Sequence, residues 1–132
     1  MKIILKNEKP ISWNKMYAGQ HWSKRAEEAQ RVHFLVKNSP RIVGEGESVY
    51  ALKKNPTFPG PVAISITAYF KGRQLDADNI CAKLYVDGLK GWLLQDDSPE
   101  YVKSVTTCSM KDKDNPRVEI EITALSSPPP EA

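Results

Sequence analysis

Five of the seven aspartates in this 132-residue chain, Asp76, Asp78, Asp87, Asp96 and Asp97, fall between residues 76 and 97, together with Lys83 and Lys90. Asp76 and Asp78 stand two apart on a segment that reads as extended, so their carboxylates project to the same side. Like charges that close repel, and a hard divalent cation held by carboxylate oxygens is the simplest agent that makes such crowding tolerable. Taken piece by piece, the same residues are a helix start capped by acidic side chains and an acidic turn. An EF-hand loop opening at Asp76 would require an oxygen ligand where Ile80 stands and a glycine where Cys81 stands, so that chemistry is excluded. The aspartate pairs of phosphatases and sugar-nucleotide transferases belong to longer α/β chains.

The elements around the cluster follow from periodicity. Lys2 to Leu5 reads as a first strand and residues 10–17, PISWNKMY, as irregular. Ser23 reads as the cap of a helix over Ser23 to Lys37, with Ala26, Ala29, Val32, His33 and Val36 on one stripe. His33 is expected to be a packing histidine with a satisfied hydrogen bond. Asn38 to Pro61, with four prolines and three glycines, reads as a long connection carrying a short element at Ser48 to Lys53, and Lys53 and Lys54 as a stretch able to wrap nucleic acid. Val62 to Phe70 alternates as a half-buried strand that delivers the chain to Asp76. Asp78 or Asn79 then reads as the cap of a helix running to Gly88 or Gly91, and Tyr101 to Met110 with Arg117 to Ala124 as a hairpin. The fold class is α+β: a single small domain, 1–125, in β-α-β-α-β-β order, with helices packed on a mixed sheet. Residues 126–132 read as a disordered tail.

Composition narrows the setting. Cys81 and Cys108 lack zinc-type spacing and are expected to remain thiols. No apolar run approaches the ~18 residues that span a bilayer, and Met1 opens directly into a strand-like segment, so the expected compartment is the cytoplasm. The formal net charge of +3 becomes +8 once the five clustered aspartates are set aside, a surface able to hold a polyanion. His21, Trp22, Lys24 and Arg25, at a helix start, could touch a phosphate backbone or form an ordinary solvated face.

DADN at 76–79, Lys83, DGL at 87–89, Gly91 and the pair Asp96 and Asp97, followed by Val102, resemble the RusA family of Holliday junction resolvases. PISWNKMY fits that family's looser P-x-S-x-N-x-x-Y pattern, so the resemblance runs from about residue 2 to residue 124. Lys83 stands four positions after Asn79, one more than in the archetypal member. The resemblance implies that Asp76, Asp78 and Asp97 bind Mg²⁺, with Mn²⁺ as a substitute, that Lys83 assists at the phosphate, and that Asp96 and Asn79 are secondary. Asn14, Tyr17, Lys24, Arg25 and Arg73 are candidate DNA contacts, and a homodimer is expected. Lys83 also has the spacing of an i to i+4 pair with Asp87.

A helix over Asn79 to Lys90 would carry the chain ~18 Å away, and the extended residues up to Asp97 could return ~23 Å. Closure within one chain is therefore feasible but nearly taut, and delivery of Asp97 across a dimer interface stays open. The expected function is Mg²⁺-dependent cleavage of four-way DNA junctions in recombination and repair. The alternatives are a non-catalytic branched-DNA binding protein with a structural acidic cluster, and a nuclease acting mainly on forks or flaps.

Overall fold

The structure is a computed structural model that describes residues 1–18, 21–43, 47–49 and 58–125. Six strands form one mixed sheet: β1 (Lys2–Lys6), β2 (Arg41–Val43), β3 (Glu47–Val49), β4 (Val62–Phe70), β5 (Val102–Lys111) and β6 (Arg117–Ala124), in the spatial order β3-β2-β1-β6-β4-β5. Helices α1 (Trp13–Ala18), α2 (Trp22–Asn38) and α3 (Ala82–Asp87), with a 3₁₀ turn at Ala77–Asn79, complete the α+β domain. The core is built by period-two burial: Ile3 and Leu5 on β1, Val62, Ile64, Ile66, Ala68 and Phe70 on β4, and Val118, Ile120 and Ile122 on β6. Val32 and Val36 of α2, Leu84, Tyr85 and Val86 of α3, and the following Leu89, Leu93 and Leu94 join the same buried cluster.

Several expectations are corrected. First, β5 and β6 do not form a hairpin. β4 lies between them, antiparallel to β6 and parallel to β5. Alternation shows which face of a strand is dry and says nothing about its neighbour. The five residues 112–116 suffice to pass over one intervening strand, a step of two spacings of ~4.8 Å. The β4 to β5 connection is thus a parallel crossover that runs through α3 and contains the whole acidic cluster.

Second, the helix expected to open at Asp78 or Asn79 begins later, at Ala82, and ends at the nearer of its two expected stops, Gly88. Ile80 bridges Ser12 and the Cys81 amide donates to the Ile11 carbonyl at 3.1 Å. The N-terminal segment thereby takes backbone groups that a continuous helix would have used. Asp76 stands at the cap position of the 3₁₀ turn and Cys81 at that of α3, neither with a side-chain cap hydrogen bond, and the helix stops at Gly88. A Cβ at Gly88 would lie 3.3 Å from both the Tyr85 carbonyl oxygen and Val36 Cβ, so the glycine allows α3 to approach α2. Gly91 turns the chain at φ +89°.

Third, α2 begins one residue early. The His21 ring Nδ1 accepts from the Ser23 amide at 3.3 Å, so His21, not Ser23, is the cap. His33 Nε2 is buried without a hydrogen-bond partner among the described residues, where a satisfied histidine was expected.

The structure also adds elements. Of residues 10–17, read as irregular, 13–17 are helical, in α1, whose start is capped by Ser12 Oγ accepting from the Lys15 amide at 3.0 Å. The connection after α2 contains β2 and β3. Ser48 and Val49 of the expected short element lie in β3, while Lys53, Lys54 and the tail 126–132 fall outside the described residues. Cys81 and Cys108 are free thiols. Among the described residues no helix is long and apolar enough to cross a membrane.

Candidate active site

The crossover from β4 to β5 folds the aspartates into two adjacent hollows that share one wall. Lys83 and Asp87 of α3, Asp97, and Lys103, Ser104 and Val105 of β5 line a hollow of about 420 Å³ together with Trp13. Trp13 also lines the second hollow, about 390 Å³, with Asn14, Asp76, Asp78 and Asn79. Local folding explains each placement. Leaving β4, the chain is pinned to β5 by Ser109 Oγ donating to the Leu75 carbonyl at 2.6 Å. Thr107 Oγ1 donates in turn to the Ala77 carbonyl at 2.7 Å. These bonds hold Asp76 and Asp78 at the surface, where both side chains are exposed. The Asn79 side-chain oxygen accepts from the Asn14 amide at 3.4 Å, which ties α1 to the DADN segment.

Asp97 returns beside α3 of its own chain. Its carboxyl lies within hydrogen-bonding reach of Asp87, whose own carboxyl is pushed above the usual range, first by burial and then by that contact, with Lys83 opposing. Lys83 Nζ lies 3.5 Å from Asp87 Oδ2, so the i to i+4 pair is formed at the edge of the hollow. Lys90 lies 3.3 Å from Asp96 and 3.8 Å from Asp97. The Asp96 carboxyl is held below its usual range by a backbone hydrogen bond at Asp97 and then by Lys90. The short α3 makes the return of Asp97 less taut than a helix to Lys90 would have required.

The structure thus brings Lys83 and Asp97 together in one hollow, and Asp76, Asp78, Asn14 and Asn79 in the next. Asp96 is placed on the flank with Lys90. No group of three or more aspartate, glutamate, histidine or cysteine side chains among the described residues is disposed to hold a metal ion as it stands. Tyr17 stacks on Trp13 with ring centroids 5.3 Å apart, and the Arg25 guanidinium lies 5.8 Å above the Tyr17 ring. Tyr17 and Arg25 therefore continue outward from the shared wall, whereas Lys24 is an exposed side chain of α2 and Arg73 lies in a different hollow. Sequence reasoning missed Trp13 as the partition and Lys103 on β5. An aromatic inside PISWNKMY, directly after the Ser12 cap, was the available signal for Trp13. Lys103 offered none.

The family model for endodeoxyribonuclease RusA matches residues 47–123, more than half of the chain, including β4, the entire acidic crossover and β5. The chain belongs to the RusA endodeoxyribonuclease family. No curated protein and no solved structure matches it. The RusA match spans both hollows except for Trp13 and Asn14, which the N-terminal segment contributes.

Proposed function

We propose that this RusA-family protein is a divalent-metal-dependent endonuclease that resolves four-way DNA junctions in recombination and repair. The observation that carries the reading is the shared wall: within a chain of this family, Trp13 joins the hollow of Asp76 and Asp78 to the hollow of Lys83 and Asp97. The donor set suits a hard cation in kind, being carboxylate oxygens, and the mutual approach of Asp87 and Asp97 leaves two like-charged groups that a cation would neutralise. Asp76, Asp78 and Asp97 would hold Mg²⁺ or Mn²⁺, which supplies activation of water and neutralisation of charge on the leaving oxygen.

The side chains do the rest. Asp76 and Asp78 would hold the ion beside the scissile phosphodiester, with Asn79 fixing their segment against α1. Lys83 directs a mobile positive charge at the phosphoryl oxygens as charge builds up in the transition state. Asp87 acts as a positioning residue by keeping Lys83 at the hollow. The Trp13 and Tyr17 rings offer a face for a base splayed from the junction. Asn14, Tyr17, Lys24, Arg25 and Arg73 are candidate contacts to DNA.

Two matched cuts are needed to resolve a two-fold symmetric junction, and one chain of this size has one such acidic region. A symmetric homodimer with one site per subunit follows. Sedimentation at micromolar protein should return twice the chain mass of 14.8 kDa, and a monomer with junction cleavage intact would refute the dimer.

The deciding experiment incubates a labelled four-way junction, a fork, a flap and a linear duplex with Mg²⁺ or EDTA. Paired nicks in the junction alone, lost in EDTA, are expected. Binding to the junction without cleavage in any metal would overturn the enzymatic reading in favour of a branched-DNA binding protein.

A further inference from the structure

Strands β1, β4 and β5 run in one direction, so their C-terminal ends gather with the start of β6 at one rim of the sheet. A hollow of about 590 Å³ opens there, distinct from both acidic hollows, lined by Asn7, Lys9, Tyr69, Lys71, Arg73 and Lys113 among others. The four cations come from three separate segments, all are exposed, and none forms an ion pair among the described residues.

The nearby carboxylates are already engaged or displaced from the mouth. Glu8 is buried and gripped by both terminal nitrogens of Arg31, at 3.0 and 3.2 Å. Asp112 is taken by Arg117 at 2.9 Å and accepts from two backbone amides of its own turn. Arg117 also covers the Tyr69 ring at 3.7 Å. Asp114, next to Lys113, is the remaining carboxylate of that loop, and it leaves the cations in excess.

Unpaired cations converging on a concavity raise the electrostatic cost of folding, a cost that a bound polyanion removes. The position of the hollow identifies the polyanion. Arg73 precedes Asp76 by three residues, a chain distance of at most ~10 Å, which corresponds to about three phosphates at ~3.4 Å of helix axis per phosphate of one strand. We propose that this rim is a second DNA-binding site that seats the phosphate backbone of a junction arm a few nucleotides from the cleavage point. Lys71 and Lys113 act as phosphate contacts, with Lys9 and Arg73 flanking them. The proposal rests on the DNA-cleaving reading above and adds a surface to it.

The test measures binding of a labelled four-way junction in EDTA over a range of KCl concentrations, for the full chain, for the double variant Lys71→Ser/Lys113→Ser, and for Lys37→Ser at the far end of α2. Each phosphate contact contributes a slope of about −0.9 in log K against log salt. The double variant should therefore lose about 1.8 in slope and bind roughly 30-fold more weakly at 0.15 M salt, converging with the full chain towards 1 M. Lys37→Ser should match the full chain. Because all three positions are exposed, melting temperatures should agree within a few degrees. An unchanged slope in the double variant, or an equal loss in Lys37→Ser, overturns the rim site while leaving the nuclease reading intact. Failure of the full chain to bind the junction at all overturns both.

Discussion

Replacing Arg31 by methionine tests how the end of β1 is locked to α2. Glu8 is 5% exposed, and both its oxygens are held by Arg31, which also binds Glu28 at 2.8 Å. Burial pushes the Glu8 carboxyl up, and the Arg31 hydrogen bond opposes that push. Removing one partner of such a pair costs about 3–5 kcal/mol, but Glu8 can escape the upper end by taking up a proton. From an ordinary value of 4.5, protonation at pH 7 costs about 3.4 kcal/mol at ~1.36 kcal/mol per unit, and at pH 5 about 0.7. The sign follows: a carboxyl whose folded pKa is raised binds its proton more tightly when folded, so stability is regained as pH falls through that value. The deficit of Arg31→Met should be about 3 kcal/mol at pH 7, a melting shift on the order of 10 °C, shrinking to about 1 kcal/mol at pH 5. Denaturant melts at the two pH values measure it, and Glu8→Gln/Arg31→Met should recover most of the loss. A deficit equal at both pH values, or no recovery in the double variant, would refute the buried-charge argument.

Lys83→Ala should lower junction cleavage by ~10²-fold with little loss of binding, and an equal fall in both would make Lys83 a simple phosphate anchor. On the acid side, burial pushes the Glu119 carboxyl up, but hydrogen bonds from Arg117 and Lys2 outweigh it and leave it below its usual range. Asp112 is likewise held down by Arg117. Their stabilisation is present above their ordinary values of 4.5 and 3.8 and is lost as pH falls through the lowered ones. Arg117→Met should therefore flatten the fall in melting temperature between about pH 5 and pH 3, and an unchanged slope would contradict the pairing.

The acidic cluster was legible because it lies in one contiguous stretch, Asp76 to Asp97, and within it the resemblance to the RusA family, not spacing, singles out Asp76, Asp78, Lys83 and Asp97. The dry faces of β4 and β6 were equally plain from alternation. What was hidden is non-local. The truncation of α3 depends on Ile11 and Ser12 arriving from some 70 positions upstream to take the backbone at Ile80 and Cys81. The insertion of β4 between β5 and β6 depends on pairing choices that no single strand encodes. Helix α1 did carry a local signal, the serine three residues before Lys15, and β2 and β3 flank the glycine pair Gly44 and Gly46. The basic rim draws Lys9, Lys71, Arg73 and Lys113 from distant segments, so no window of sequence displays it.

The central claim is that aspartates of two adjacent hollows serve one metal-dependent cleavage. It is tested most directly by Asp78→Asn and Asp97→Asn, one from each hollow, assayed for four-way junction cleavage in Mg²⁺ beside junction binding and a melt in EDTA. Asn preserves shape and can itself cap a turn, so a capping role leaves activity intact. The account predicts that both variants lose cleavage, keep or tighten junction binding as a negative charge near phosphate disappears, and melt no lower than the unsubstituted chain in EDTA. Full cleavage by either variant would contradict it.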